Sequence, residues 1–144
     1  MRVGIVGLAI LGALAACDAS TASLSNEYAL IQHQTQWEHR DFHSYTYDYL
    51  NSEPIGAANA HVTVVADAVT GVIEVTTGLP PDRPLAIPTI DSLFVYAQFL
   101  LSQKNTTVHL EFDSQLGYPT HVSAFDRNPG GGYNATVSNL QPTR

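Results

Sequence analysis

No second cysteine accompanies Cys17 in the 144-residue chain. No disulfide within it can staple the fold, so burial of apolar surface must hold it together. Basic residues are scarce: six Lys and Arg stand against 13 Asp and Glu, a net charge of −7. An acidic surface repels phosphate backbones and anionic headgroups, which argues against nucleic acid and against electrostatic adhesion to a membrane. No apolar run reaches the ~20 residues that a bilayer core demands. No serine stands in a Gly-x-Ser-x-Gly elbow, and Gly130-Gly131-Gly132 lacks the Lys and the helix of a phosphate loop. Nucleophilic catalysis and nucleotide binding therefore have no motif to rest on, and the chain is not expected to be an enzyme or to hold a cofactor.

What is present begins at the N-terminus. Arg2 precedes an apolar run from Val3 to Ala16, which ends in Leu14-Ala15-Ala16-Cys17. The run is too short to span a bilayer and reads as an export signal. Small residues before a cysteine, directly after such a run, resemble the lipobox of bacterial lipoproteins. In that class of signal the Cys sulfur receives a diacylglycerol, the peptide is cut before it, and the new N-terminus is acylated. Lipidation accounts for an otherwise stray thiol, and two or more buried chains anchor stably where one is marginal. The expected organisation is a signal peptide over 1–16, a tether over 17–25 and a single domain over 26–144. Cleavage leaves five basic side chains (Arg40, Arg83, Lys104, Arg127, Arg144) against 13 acidic ones, a net charge of −8.

Leu24, Tyr28 and Ile31, with Leu30 and Trp37, mark an amphipathic helix ending near His39 to Asp41. Ser44 to Leu50 alternates with period two and puts Tyr45, Tyr47 and Tyr49 on one face, the pattern of a strand. Two further strands, His61 to Ala66 and Val72 to Thr76, flank a turn containing Asp67 and Gly71. Four prolines (Pro80, Pro81, Pro84, Pro88) make Gly78 to Pro88 a stiff connector. Thr89 is placed to cap a second helix, Ile90 to about Gln103, and Asp91 suits its positive end. In the next strand Val108, Leu110 and Phe112 point one way, His109 and Glu111 the other. Thr120 to Phe125 pairs back through Gly117-Tyr118-Pro119, and Tyr133 to Leu140 is an edge-strand candidate. Short strand-to-strand connections favour antiparallel pairing. The expected fold is α+β: one antiparallel sheet of five to six strands, two helices on one face, in the order α-β-β-β-α-β-β(-β).

Six histidines (His33, His39, His43, His61, His109, His121) raise a metal hypothesis. His39 and His43 have the i, i+4 spacing but run past the first helix. His109 and His121 lie on neighbouring strands near Glu111 and Ser123, which makes them the best candidate for a metal or proton-shuttle pair. The plain alternative is two polar residues on the wet face of a half-buried sheet. Glu111 and Asp113, with Asp126 across the hairpin, form a carboxylate group. Asp113 also suits a structural role, bonding backbone N–H groups of the turn before Gly117. Tyr45, Tyr47 and Tyr49, with Tyr118, either line a binding surface or form the core face that receives a helix through Trp37 and Phe94.

Several of these pieces together resemble a known family: Tyr45-Thr46-Tyr47, the Val62–Val64 strand with its hairpin to Gly71-Val72, Thr89-Ile90-Asp91-Ser92-Leu93-Phe94, and Phe112-Asp113 through Gly117-Tyr118-Pro119 to Asp126. They are similar to the bacterial secreted proteins and lipoproteins designated domain of unknown function 6174. In that pattern relatives carry a close cysteine pair after the Tyr strand, whereas Asn51 to Ala60 holds none, so a disulfide or metal role of such a pair is absent. The resemblance implies an exported domain and no particular activity. The function expected is that of a membrane-anchored protein of the bacterial cell envelope, on its periplasmic or outer-surface side. It would bind or support an envelope protein or peptide and meet the membrane through the lipid on Cys17. The alternative is a secreted ligand-binding or inhibitor-like protein.

Overall fold

Two helices and six strands follow one another as α1 (Cys17–Glu38), β1 (Tyr45–Asn51), β2 (Ala58–Val65), β3 (Ala68–Glu74), α2 (Ile90–Ser102), β4 (Thr106–Phe112), β5 (Pro119–Asp126) and β6 (Gly132–Pro142). The computed structural model describes residues 17–52, 57–126 and 132–143, and of residues 17–23 and 126 the backbone alone. Residues 1–16, read above as an export signal, the side chains of Cys17 and Asp126, and residues 127–131 of the loop with Gly130 and Gly131 lie outside that description. The strands form one antiparallel sheet in the order β3-β2-β1-β6-β5-β4. Both helices lie on one face of it, α1 over β4 and α2 over β4 and β5. This is the α+β layout that the sequence predicts.

Alternation sorts the sheet's side chains. Tyr45, Tyr47, Tyr49, Ala60, Val62, Val64, Val108, Val122, Ala124, Ala135 and Val137 are buried with Ile90, Leu93, Phe94, Ala97 and Leu100 of α2. No described helix packs on the other face, with Thr46, Asp48, His61, Thr63, His109, Glu111 and His121. Because β3 and β4 form opposite edges, the chain between them must cross the whole inner face. The proline-rich connector and α2 make that crossing.

The structure differs from the sequence reading in four places. Residues 132–142 form not an edge strand but the central β6, paired with β1 on one side and β5 on the other; pairing across the chain leaves no local trace. The β2–β3 turn is the tight pair Ala66 and Asp67, both at positive φ (50° and 62°), as a two-residue I′ turn requires, while Gly71 sits inside β3 opposite Thr63. The segment read as a tether is helical from Cys17 onward. Finally, Leu24, Tyr28 and Ile31 are exposed, and α1 packs instead through Leu30 and Trp37. Two apolar stripes compete on this helix, and the one ending in Trp37 wins because Trp37 meets the rings of Phe42, Tyr45 and Tyr118.

The β4–β5 turn holds α1 in place. Asp113 Oδ1 accepts from the N–H groups of Gln115 (2.9 Å) and Leu116 (2.7 Å), the structural role expected of it. Gln36 Nε2 donates to the carbonyls of Ser114 and Gln115. Gly117, at φ 82°, approaches so closely that a Cβ would stand 2.6 Å from His33 O. Gly117→Ala is expected to cost about 1–2 kcal/mol from the left-handed backbone alone, plus the displacement of α1. A thermal melt should show a loss of several degrees; an unchanged midpoint would mean that the turn relaxes freely.

Candidate functional site

The two segments that carry the family resemblance in the first half of the chain and in α2 meet each other. Thr89 Oγ1 accepts from Ser92 N (3.2 Å) and caps α2 as its sequence predicts. One residue on, Ile90 N donates to Tyr45 Oη (3.2 Å), and Tyr47 Oη donates to Pro88 O. Asp91 accepts from Trp37 Nε1 (3.3 Å) and from Arg40 Nη2 (3.2 Å). The same Arg40 nitrogen bonds Asp67 at 2.8 Å, and its guanidinium lies 4.2 Å from the Trp37 ring centre. His43 Nδ1 closes the group on Asp67 at 2.8 Å. Arg40 thus ties the end of α1, the β2–β3 turn and the start of α2 together from a side chain only 5% exposed.

Tyr45 and Tyr47 are therefore core residues, and Tyr118 is buried beside Trp37. Burial pushes the Tyr45 hydroxyl up to about 12, and desolvation raises Tyr47 in the same direction. A folded pKa above the unfolded ~10 means stability is intact below pH ~10 and is lost as pH rises through the folded value. The midpoint of unfolding should be flat from neutral pH to ~10 and fall as pH climbs toward ~12. Tyr45→Phe should make that fall shallower, leaving the part due to Tyr47, while lowering stability at neutral pH by about 1 kcal/mol for the lost bond to Ile90. An equally steep alkaline limb in the variant would assign the effect elsewhere.

The histidines are placed apart. The rings of His109 and His121 stand 6.0 Å apart on the open face, but each has its own partner: Glu111 at 3.1 Å for His109 and Thr136 at 3.4 Å for His121. His61 Nδ1 bonds Asp48 (2.7 Å), whose other oxygen accepts from Asn139 (2.7 Å). The Asn139 bond first, then His61, holds the Asp48 carboxyl below its ordinary range. His33 stacks on Phe112, and His39 bonds the Thr35 carbonyl. Among the described residues no three His, Cys, Asp or Glu gather as metal ligands. Glu111 bonds His109, while Asp113 serves its turn.

A concave feature lies elsewhere. A cleft of about 500 Å³ opens between the connector, α2 and the sheet. Pro84, Leu85, Ala86 and Pro88 form one wall, Ser92, Leu93 and Tyr96 another, and Tyr49, Asn51, Ala58 and Tyr133 the floor. Tyr49 Oη and Tyr133 Oη are 3.1 Å apart, and the ring of Tyr96 meets that of Tyr133 edge-on at 4.6 Å. No charged side chain stands among the described lining residues. Past Asn51, Ala58 and Leu85 the cleft continues into a shallower hollow that reaches Glu74 and Thr76. Of the tyrosines singled out in the sequence, Tyr49 alone lines the cleft. Tyr96 and Tyr133 escaped notice because α2 and the β1–β6 pairing, both distant in sequence, bring them there.

No curated protein and no solved structure matches the chain. A family does, and its match covers α1 from Ala29 through nearly all of β6, so it takes in the Tyr45–Ile90 junction, the Arg40 cluster and the cleft alike. Residues 29–141 match the family of unknown function DUF6174, and the chain belongs to that family.

Proposed function

We propose that this chain is a lipid-anchored protein of the bacterial cell envelope whose domain binds rather than catalyses, with the tyrosine-walled cleft as its binding site. The cleft carries this reading: it is concave, aromatic, uncharged along its described lining, and built on secondary structure rather than on loop ends alone. Such a lining suits a neutral ligand with a flat or apolar face that packs on tyrosine rings, such as a sugar ring or an uncharged peptide segment. The lipobox before Cys17 supports the anchor. The ion pairs and turn bonds that occupy Asp67, Asp91 and Asp113 support a non-catalytic role.

Two measurements test the reading. Intact mass and detergent partitioning of wild type and Cys17→Ser, expressed in a bacterial host, test the anchor: lipid mass and partitioning are expected in wild type and absent from the variant. Ala86→Trp tests the cleft. Residue 86 is exposed on the connector wall, so a bulky ring there should leave the melting midpoint unchanged. It should weaken binding of a neutral glycan or peptide, found by screening wild type, by about tenfold, equivalent to ~1.4 kcal/mol. Undiminished binding would move the site away from the cleft. A secreted ligand binder becomes the reading if wild type carries no lipid.

A further inference from the structure

The outer surface of the helix layer is apolar. Leu24, Tyr28 and Ile31 on α1 are 66%, 67% and 59% exposed, and Val95 and Phe99 on α2 are 67% and 53% exposed. At 100° per residue, Leu24, Tyr28, Ile31 and Thr35 fall on the side of α1 opposite the line of Asn26, Leu30, His33 and Trp37 that meets the sheet. Ser92, Val95 and Phe99 fall in the same way opposite Ile90, Leu93, Phe94 and Ala97 on α2. Both helices lie on one sheet face and touch each other, so their outer stripes point in the same direction, away from the sheet. The surface is also poor in charge. Neither helix contains a Lys or Arg; α2 has Asp91 alone among the four charged types, held at its first turn, and on α1 the exposed Glu27 and Glu38 flank the stripe without interrupting it. A helix layer facing only water would ordinarily carry charged residues on this side.

We infer that this outer face lies against the membrane, so that the anchored domain sits flat on the bilayer with the open sheet face turned to the aqueous side. The inference rests on the anchored reading above. The position of the anchor chooses the occupant. α1 starts at Cys17 with no non-helical spacer, and position 17 stands seven residues before Leu24, two turns along the same stripe. A lipid there enters the bilayer about 10 Å from Leu24 at 1.5 Å per residue, and the stripe continues from it. Neither helix is long and apolar enough to cross a membrane, so the layer lies on the surface rather than spanning it. The acidic chain would be repelled by anionic lipid, and contact is therefore made by apolar side chains with zwitterionic lipid. Tyr28 suits the boundary, its ring in the apolar zone and its hydroxyl toward the headgroups.

The test compares two labelled sites on lipidated full chain in phosphatidylcholine nanodiscs that contain a lipid-borne quencher. Thr35→Cys places a fluorophore on the outer stripe, and Asn59→Cys places one on the open sheet face; both residues are exposed. A lipidated Cys17 takes no label. The Thr35 label should be quenched and located about 5–10 Å into the headgroup–acyl boundary, while the Asn59 label remains in water. Combining Leu24→Ala, Tyr28→Ala and Val95→Ala, three of the more exposed positions with alanine as a good helix former, should return the Thr35 label to water while circular dichroism shows the domain still folded. Equal quenching at the two sites, quenching that survives the triple substitution, or burial of the Thr35 label in a dimer of this chain would each overturn the inference. Intact mass keeps the two readings apart. If the chain carries no lipid, the same labels are read in Cys17→Ser held by an N-terminal hexahistidine on nickel-chelating lipid, where the difference between sites judges the helix face independently of the natural anchor.

Discussion

Trp37→Ala should remove about 3–5 kcal/mol of stability, the range for deleting a fully buried large aromatic. Trp37 is inaccessible to solvent, and its ring meets Tyr45 at 5.5 Å, Phe42 at 5.8 Å and Tyr118 at 6.2 Å. It also supports the Arg40 guanidinium and donates to Asp91. A domain of this size has about 5–15 kcal/mol in total, so the variant should sit close to unfolding at ambient temperature. Urea titration followed by circular dichroism measures the loss. Trp37→Phe separates the contributions, since it keeps a ring among rings but loses the bond to Asp91. A loss below about 1 kcal/mol in the alanine variant would contradict the placement of this side chain at the centre of the core.

Arg40→Ala is the second large effect, expected at about 3 kcal/mol. The cation is almost wholly buried while Asp67 and Asp91 are near half exposed. Removing the arginine therefore leaves two carboxylates that water can still reach, which places the cost at the lower end for a broken buried pair. Much of the loss is packing, because the side chain covers Trp37. Arg40→Met, which restores the stem without the charge, should recover part of it. Asp67→Asn alone should cost about 1 kcal/mol or less, as exposed partners do. A double-mutant cycle between Arg40 and Asp91 in denaturant reads their coupling directly. Equal losses for Arg40→Met and Arg40→Ala would show that charge, and not cover, is what matters.

The parts of this fold that were legible in the sequence are those whose cause is local. Thr89 and Asp91 announce the start of α2, the Tyr45-Tyr47-Tyr49 alternation announces β1, and Asp113 with Gly117 announces the turn that follows β4. Each rests on contacts within a few residues. The face of α1 was not legible, because Leu24, Tyr28 and Ile31 have the same helical spacing as the residues that do pack, and only tertiary partners break the tie. The place of β6 was not legible either, since Ala135 and Val137 alternate equally well at an edge or in the middle. The cleft needed the second of these answers. Tyr133 reaches Tyr49 only through the β1–β6 register, and no pattern within either strand encodes it.

The central position of β6 has a consequence for the order of events during folding. Each half of the sheet is a local meander, β1-β2-β3 or β4-β5-β6, whose neighbours are close in sequence. The joint between halves pairs Tyr45 with Pro142 and Asn51 with Ala135, so it links segments at opposite ends of the domain. Closing it has a high loop entropy and cannot happen until β6 has left the ribosome. Until then β1 and β5 each keep one open edge, and the nascent polypeptide has no finished sheet to lock. For the exported chain proposed above, that delay keeps the domain open during transit, because β6, the last of its six strands, is the one that closes the sheet.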